Sequence, residues 1–243
     1  MTAAIPGWRS AARSETGKVR AGNEDAVLDR PQQGLWAVAD GMGGHRGGAL
    51  ASRLIVDGLA ELRLAGSLAA RLGQVRQCLH RLNRHLGQTP TVTAACPDPV
   101  IGSTVVALLI EAQRAACVWA GDSRCYLWRS GRLYQLTRDH SLVQQLIDEQ
   151  RIPAEQAATH PAAHALTRAV GVGEALALEV VELDVLPGDT FLLCSDGLYQ
   201  DLAPEALGSA LALPSAALAV RQLFDRALDG PARDNLSAVV IRR

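Results

Sequence analysis

Five stretches of the sequence set carboxylates beside glycine or asparagine at the edge of an apolar run. Glu24-Asp25 follow Asn23, and Asp40 closes the run 35–39 ahead of Gly41-Met42-Gly43-Gly44. Asp122 follows Gly121, Asp196-Gly197 closes the run 190–195, and Asp234-Asn235 opens the last apolar run. Any one of these reads as turn chemistry, because Asp and Asn cap backbone N–H groups and tolerate unusual dihedrals. Repeated at the ends of strands, they deliver carboxylates to one edge of a sheet. Such a set repels itself unless cations neutralise it, and hard oxygen ligands select Mg²⁺ or Mn²⁺ over thiolate-seeking metals. The adjoining glycines let backbone carbonyls and ligands approach closely.

The elements that must position these groups follow from periodicity. The first third reads as three strands followed by helices. Apolar residues at Leu50, Leu54, Ile55, Leu59 and Leu62 mark one helical face, and Leu68, Leu72, Val75, Leu79, Leu82 and Leu86 mark a second. The runs 103–110, 115–120 and 124–128, punctuated by Gly121-Asp122 and Ser130-Gly131, predict an antiparallel meander. Ser141 with Gln144 forms a capping box for a helix to about residue 150. The run 181–185 alternates as a half-buried strand, Pro187-Gly188-Asp189 makes a turn, and 190–195 is another strand. Ser215 caps a helix with Leu218, Leu223, Ala227 and Leu228 inward, Gly230-Pro231 stop it, and 236–241 is a final strand. The absence of a regular βαβ alternation argues against a doubly wound sheet and fits better an α+β arrangement of two antiparallel sheets with helices outside.

Composition narrows the function classes. The 243 residues suit one domain, and 48% hydrophobic content with 4% aromatics requires a core of Leu, Val, Ile and Ala. A net charge of −1 leaves no electrostatic footprint for nucleic acid or an anionic membrane. No apolar run approaches the roughly 20 residues of a spanning helix, and residues 1–9 lack the apolar core of a secretory signal. Cys78, Cys96, Cys117, Cys125 and Cys194 are odd in number and contain no CxxC pair, so they read as small core residues in a reducing compartment. A cytoplasmic protein is expected, with no membrane insertion.

In order along the chain stand Arg20-Ala21-Gly22-Asn23-Glu24-Asp25, Asp40-Gly41-Met42-Gly43-Gly44-His45, Gly102-Ser103-Thr104, Ala120-Gly121-Asp122-Ser123-Arg124, Leu136-Thr137-Arg138-Asp139-His140-Ser141, Ser195-Asp196-Gly197 and Asp234-Asn235-Leu236-Ser237. This series resembles the motifs of the type-2C metal-dependent protein phosphatases, the PPM family, over nearly the whole chain. The resemblance implies a four-layer α-β-β-α sandwich and two Mn²⁺ or Mg²⁺ ions per site, with a third in bacterial members. It makes Asp40 the bridging carboxylate, with Glu24 and the Gly41 carbonyl on one ion and Asp196 and Asp234 on the other. Asp25 becomes a ligand or an acceptor for cation-bound water, and Asp122 joins Asp196 at the third site. Arg20 binds the substrate phosphate through its planar fork; the alternative for it is an ion pair with Glu24 or Asp25. The implied reaction is in-line attack of an activated water on phosphoserine or phosphothreonine, with no covalent phosphoenzyme.

The match has one departure. Some members carry histidine after the Asp-Gly, as a proposed general acid, where this chain has Met42, read as packing under the site. His45 is a substitute candidate, and His140 reads as fixing a helix start. Segment 141–171 corresponds to the family's flap beside the active site, with His160 and His164 as loop residues and Arg168 as an anchor. The resemblance implies phosphorylated protein substrates, opposition to a Ser/Thr kinase, and a monomer. A catalytically idle scaffold and an esterase for small phosphates are the competing readings.

Overall fold

The structure, a computed structural model, describes residues 7–43, 47–88, 101–153, 156, 160–162 and 165–243. Strands β1 (Arg9–Glu15), β2 (Asp25–Arg30) and β3 (Leu35–Met42) lead into helices α1 (Gly47–Ala60) and α2 (Leu68–Gly87). Then come β4 (Gly102–Ser103), β5 (Val105–Glu111), β6 (Arg114–Ala120), β7 (Arg124–Arg129), β8 (Arg132–Gln135) and α3 (Leu142–Asp148). The chain continues through β9 (Glu179–Asp184), β10 (Thr190–Cys194), α4 (Asp196–Gln200), α5 (Pro204–Leu211), α6 (Ala216–Asp229) and β11 (Leu236–Arg242).

Two antiparallel sheets result. One runs β1-β11-β10-β7-β8, and the other runs β2-β3-β5-β6-β9 with β4 added to β3. Strands β3, β5, β6, β10 and β11 are apolar almost throughout because each is covered on both faces. Alternation along β3 shows it: Trp36 and Val38 enter the layer between the sheets, while Ala37 and Ala39 face α1 and α2. Along β10, Phe191 and Leu193 join the inter-sheet layer, and Leu192 and Cys194 pack with α5 and α6. Three apolar layers therefore alternate with four layers of secondary structure. Ser67, Ser141 and Ser215 each cap a helix through their hydroxyls, on Ala70, Gln144 and Leu218 N–H respectively.

Several expectations need correction. The central runs do not form one meander: β6 belongs to one sheet and β7 to the other, and the chain crosses between them at residues 121–123. Cys117 and Cys125 both enter the inter-sheet layer, so the crossing keeps each strand's apolar face inward. Likewise β9 pairs with β6 whereas β10 pairs with β7 and β11. Leu50 and Leu218 are exposed, at 49% and 47%; the buried stripes are Ala51, Ile55, Val56 and Leu59 on α1 and Ala219, Val220, Leu223, Phe224 and Ala227 on α6. Cys78, Cys117, Cys125 and Cys194 are buried free thiols, while Cys96 lies outside the described residues.

Candidate metal centre

The face of β3 that carries Trp36 and Val38 between the sheets ends at Asp40. On β2, Asp25 lies directly opposite Asp40 in the antiparallel register. Two carboxylates thus meet across adjacent strands at the end of the inter-sheet layer, an arrangement that is destabilising unless something intervenes. From the other sheet, Ser195 and Ser237 close in beneath them. The Ser195 hydroxyl donates to Asp25 Oδ2 at 2.7 Å and accepts the Ser237 N–H at 3.0 Å. Ser195 is also the N-cap of α4, yet makes no side-chain cap, because its hydroxyl is committed to Asp25. Asp25 Oδ1 is the buried side-chain polar atom, among the described residues, that has no hydrogen-bond partner. An orphaned carboxylate oxygen of this kind calls for a water or a cation.

Asp40 is fixed through its backbone, which leaves its carboxylate available. Its N–H donates to Thr104 Oγ1, and its carbonyl accepts from the Thr104 N–H and the Ser103 hydroxyl. Thr104 Oγ1 also meets Ser123 Oγ at 2.7 Å, tying the Asp40 end of β3 to the Asp122 turn. Gly41 donates its N–H to the Glu24 carbonyl. A Cβ built on Gly48, at the start of α1, would stand 2.8 Å from both Glu24 Oε2 and the Gly41 carbonyl oxygen. A carboxylate and a carbonyl therefore converge beside a glycine whose missing side chain leaves the space. Gly41 is equally constrained, since a Cβ there would lie 2.0 Å from the Gly48 carbonyl oxygen.

Asn235 secures the loop before β2. Its side-chain oxygen accepts the Glu24 N–H at 2.8 Å, and its amide donates to the carbonyls of Thr16 and Gly22 at 2.9 and 3.0 Å. Arg20 on that loop pairs with Asp234 at 2.6 Å, not with Glu24 or Asp25. The second Asp234 oxygen accepts the Asn235 N–H at 2.8 Å. Asp196 opens α4, where the Gln200 amide donates to its Oδ2 at 2.8 Å. Asp122 is buried; its carbonyl accepts the Tyr199 hydroxyl at 3.1 Å. The Arg124 guanidinium lies 3.7 Å over the Tyr199 ring and forks onto Asp139, bracing α4 against the Asp122 turn.

These residues share one cavity of about 880 Å³, lined by Arg20, Glu24, Asp40, Gly41, Asp122, Asp196 and Asp234, with Met42 and Leu166 as apolar wall. Burial, and then the mutual repulsion of Asp25, Asp196, Asp122 and Asp234, holds the Asp40 carboxyl well above its ordinary range. Burial likewise pushes Asp25 and Asp122 each to about 7, with Asp196 repelling both. Glu24 is raised by burial, against the pull of Arg20. Among the described residues no three His, Cys, Asp or Glu side chains are arranged to hold a metal ion directly. The donors instead line an open cavity, which suits Mg²⁺-like ions that keep several waters and take only one or two carboxylates. An acidic ring, an orphaned Asp25 oxygen and the carbonyl cradle at Gly41 all fit hydrated divalent cations.

Each carboxylate singled out in the sequence reaches this cavity or, for Asp25, lies against Asp40 beside it. Met42 lines the cavity. His140 caps no helix: its Nδ1 accepts the Gly121 N–H at 3.1 Å, while Ser141 performs the capping. His160 Nδ1 accepts the Ala162 N–H in a local turn, and Arg168 pairs with Glu179 at 2.8 Å. His45 and His164 lie outside the described residues. Asn235, Ser195 and Thr104 are the contributors that sequence reading missed. Their positions beside Asp234, beside Asp196 and in Gly102-Ser103-Thr104 were the available signal.

Residues 11–239 match the model of the family described as protein phosphatase 2C. The serine/threonine protein phosphatase PstP of Mycobacterium tuberculosis is 38% identical over 236 residues, covering 96% of this chain. The chain spans 44% of that relative's length. Among solved structures, PppA, described as a key regulatory component of T6SS in Pseudomonas aeruginosa, is 44% identical, with a TM-score of 0.87 and 97% of each chain covered. The PstP catalytic domain in complex with two manganese ions is 37% identical, with a TM-score of 0.83 and 97% of each chain covered.

Proposed function

The chain belongs to the protein phosphatase 2C family, and we propose that its acidic cavity hydrolyses phosphoserine and phosphothreonine in proteins with the help of divalent cations. The observation that carries the reading is the carboxylate ring itself, whose members repel one another and hold an orphaned oxygen at Asp25. Glu24, Asp40 and the Gly41 carbonyl would hold one Mn²⁺ or Mg²⁺, Asp40, Asp196 and Asp234 a second, and Asp122 with Asp196 a third. When bound, the ions supply an acidified water and neutralise charge on the phosphoryl oxygens.

The chain's own groups do the rest. Arg20 is exposed at the cavity rim and offers a fork of donors to the equatorial oxygens of a phosphate. Its ion pair with Asp234 exchanges for that phosphate as substrate enters. Asp25 stands opposite Asp40 beside the cavity, where Ser195 holds its Oδ2 and leaves Oδ1 as an acceptor for a water that would enter with the ions. Met42 and Leu166 give the phosphorylated side chain an apolar wall. Segment 141–171 acts as the substrate-facing flap of a single phosphatase domain. The reading includes a monomer in the cytoplasm that opposes a Ser/Thr kinase. Among the described residues no helix is long and apolar enough to cross a membrane.

Phosphate release from a phosphothreonine peptide, measured with Mn²⁺ and with chelator, tests the proposal. Turnover is expected only with Mn²⁺, and Asp40→Asn and Asp196→Asn reduce it to background while the circular dichroism stays native. Mn²⁺ binding without release from any phosphopeptide would replace the enzyme with a cation-binding scaffold.

A further inference from the structure

We propose that the outward face of α2 is a docking surface for an Asp/Glu-rich segment of the phosphoprotein whose phosphate enters the cavity. The inference rests on the phosphoprotein hydrolysis proposed above.

The 20 residues of α2 include four arginines and two histidines and no carboxylate. The stripe of Leu72, Val75, Leu79, Leu82 and Leu86 is buried, which leaves the cations on the outside. Arg71 is committed to the carbonyls of Gly66 and Gln33. Arg76, Arg81 and Arg84 are exposed, and among the described residues none of the three enters an ion pair. Arg81 donates to Cys78 Sγ at 3.7 Å, a neutral partner that leaves its charge uncompensated. The negative end of the helix dipole accounts for cations in the last turn, Arg84 and His85, but not for Arg76 and Arg81. On α6, by contrast, Arg221 meets Asp225 one turn on at 3.5 Å.

Arg76 to Arg84 span about 12 Å at 1.5 Å per residue, the length of about four residues of extended chain. Guanidinium forks take carboxylates bidentately, so three of them over that length fit a short acidic peptide. Nucleic acid and anionic membranes are held by larger basic tracts, and the whole chain carries a net charge of −1. The last turn of α2 lies at the cavity end of the fold. A Cβ built on Gly171 would stand 3.0 Å from Leu86 Cβ and 3.2 Å from Gly102 Cα, and Gly102 is the register partner of Met42 on the cavity wall. One polypeptide therefore reaches both the cavity and the arginine face. The acidic cavity repels an acidic run, so Arg76, Arg81 and Arg84 set whether such a substrate is favoured.

The test compares two phosphothreonine peptides that differ only in a tail of about four Glu or about four Gln, joined by a Gly/Ser linker of about ten residues that reaches about 17 Å. Phosphate release by the full chain is measured with Mn²⁺ at low ionic strength, and binding of the labelled, unphosphorylated peptides is read by fluorescence anisotropy in chelator. In the wild type the Glu tail is expected to lower KM by about tenfold with kcat unchanged, as three exposed ion pairs imply, and to tighten binding by a similar factor. Salt at about 0.5 M should remove both preferences. The triple variant Arg76→Gln, Arg81→Gln, Arg84→Gln keeps good helix formers at exposed positions. It should lose both preferences and turn over the Gln-tailed peptide as the wild type does. Equal KM and equal binding for the two tails in the wild type, or a preference that survives the triple variant, overturns the inference. So does a phosphatidylserine vesicle or a single-stranded oligonucleotide that binds the same arginines more tightly than the Glu tail. A wild type that releases phosphate from both peptides and ignores the Glu tail overturns this inference and leaves the proposed activity standing. One that binds the Glu tail and releases phosphate from neither overturns the activity and leaves the acidic-peptide surface.

Discussion

Replacing Asp25 by Asn separates what the carboxylate does for folding from what it does for the site. Asp25 is buried opposite Asp40, and burial pushes its carboxyl from 3.8 to about 7. A carboxyl raised in the folded state contributes its full stability only below the unfolded value, and that stability is lost as pH rises through the folded one. The chelated protein should therefore weaken between about pH 4 and about pH 7. At about 1.4 kcal/mol per tenfold in proton affinity, the separation amounts to about 4 kcal/mol above pH 7. Asn keeps the acceptor for the Ser195 hydroxyl and sets an amide donor beside Asp40, so most of that penalty disappears. Urea unfolding in chelator should show Asp25→Asn more stable than wild type by about 2–4 kcal/mol near pH 8, and by under about 1 kcal/mol near pH 4. In saturating Mn²⁺ the order should reverse, since only the wild type gains the full binding free energy. A variant less stable than wild type in chelator at both pH values would refute the reasoning.

Other perturbations separate positioning from chemistry. Asn235→Ala removes the acceptor of the Glu24 N–H and the donor to Thr16 and Gly22; it should cost about 2–3 kcal/mol in thermal or urea unfolding and weaken Mn²⁺ binding by about tenfold. Arg20→Ala should move two constants in opposite directions: KM for a phosphopeptide rises by about tenfold or more, as loss of a charge-assisted pair of 1.5–3 kcal/mol implies, whereas Mn²⁺ affinity holds or improves because Asp234 is released. Parallel steady-state kinetics and dialysis would read both.

Which residues stand where was legible because the chemistry forces local signatures. Apolar runs ending in Asp-Gly announced strands that expire at a cavity, and Asp40, Asp122, Asp196 and Asp234 all line it. Serine caps at Ser141 and Ser215 were readable for the same reason. Sheet membership was not. The strands β6 and β7 are neighbours in sequence with a three-residue crossing, and nothing local distinguishes a hairpin from a step between sheets when β6 and the middle of β7 are buried on both faces. The outward aspect of Leu50 and Leu218 was hidden similarly, since exposed leucine obeys the same spacing as buried leucine. The roles of Ser195, Thr104, Asn235 and His140 depend on partners between 19 and 219 residues away, a distance over which composition carries no signal. Arg20 took a partner, Asp234, that local spacing could not favour over Glu24 or Asp25.

The acidic cavity fits divalent cations and not its own carboxylates alone. Equilibrium dialysis of the chelator-stripped chain against Mn²⁺ tests it most directly. At least two ions bound per chain, reduced in Asp40→Asn with unchanged circular dichroism, is the predicted result. A wild-type chain that retains no Mn²⁺ at saturating concentration, or an Asp40→Asn variant that binds as many ions as the wild type, would contradict it.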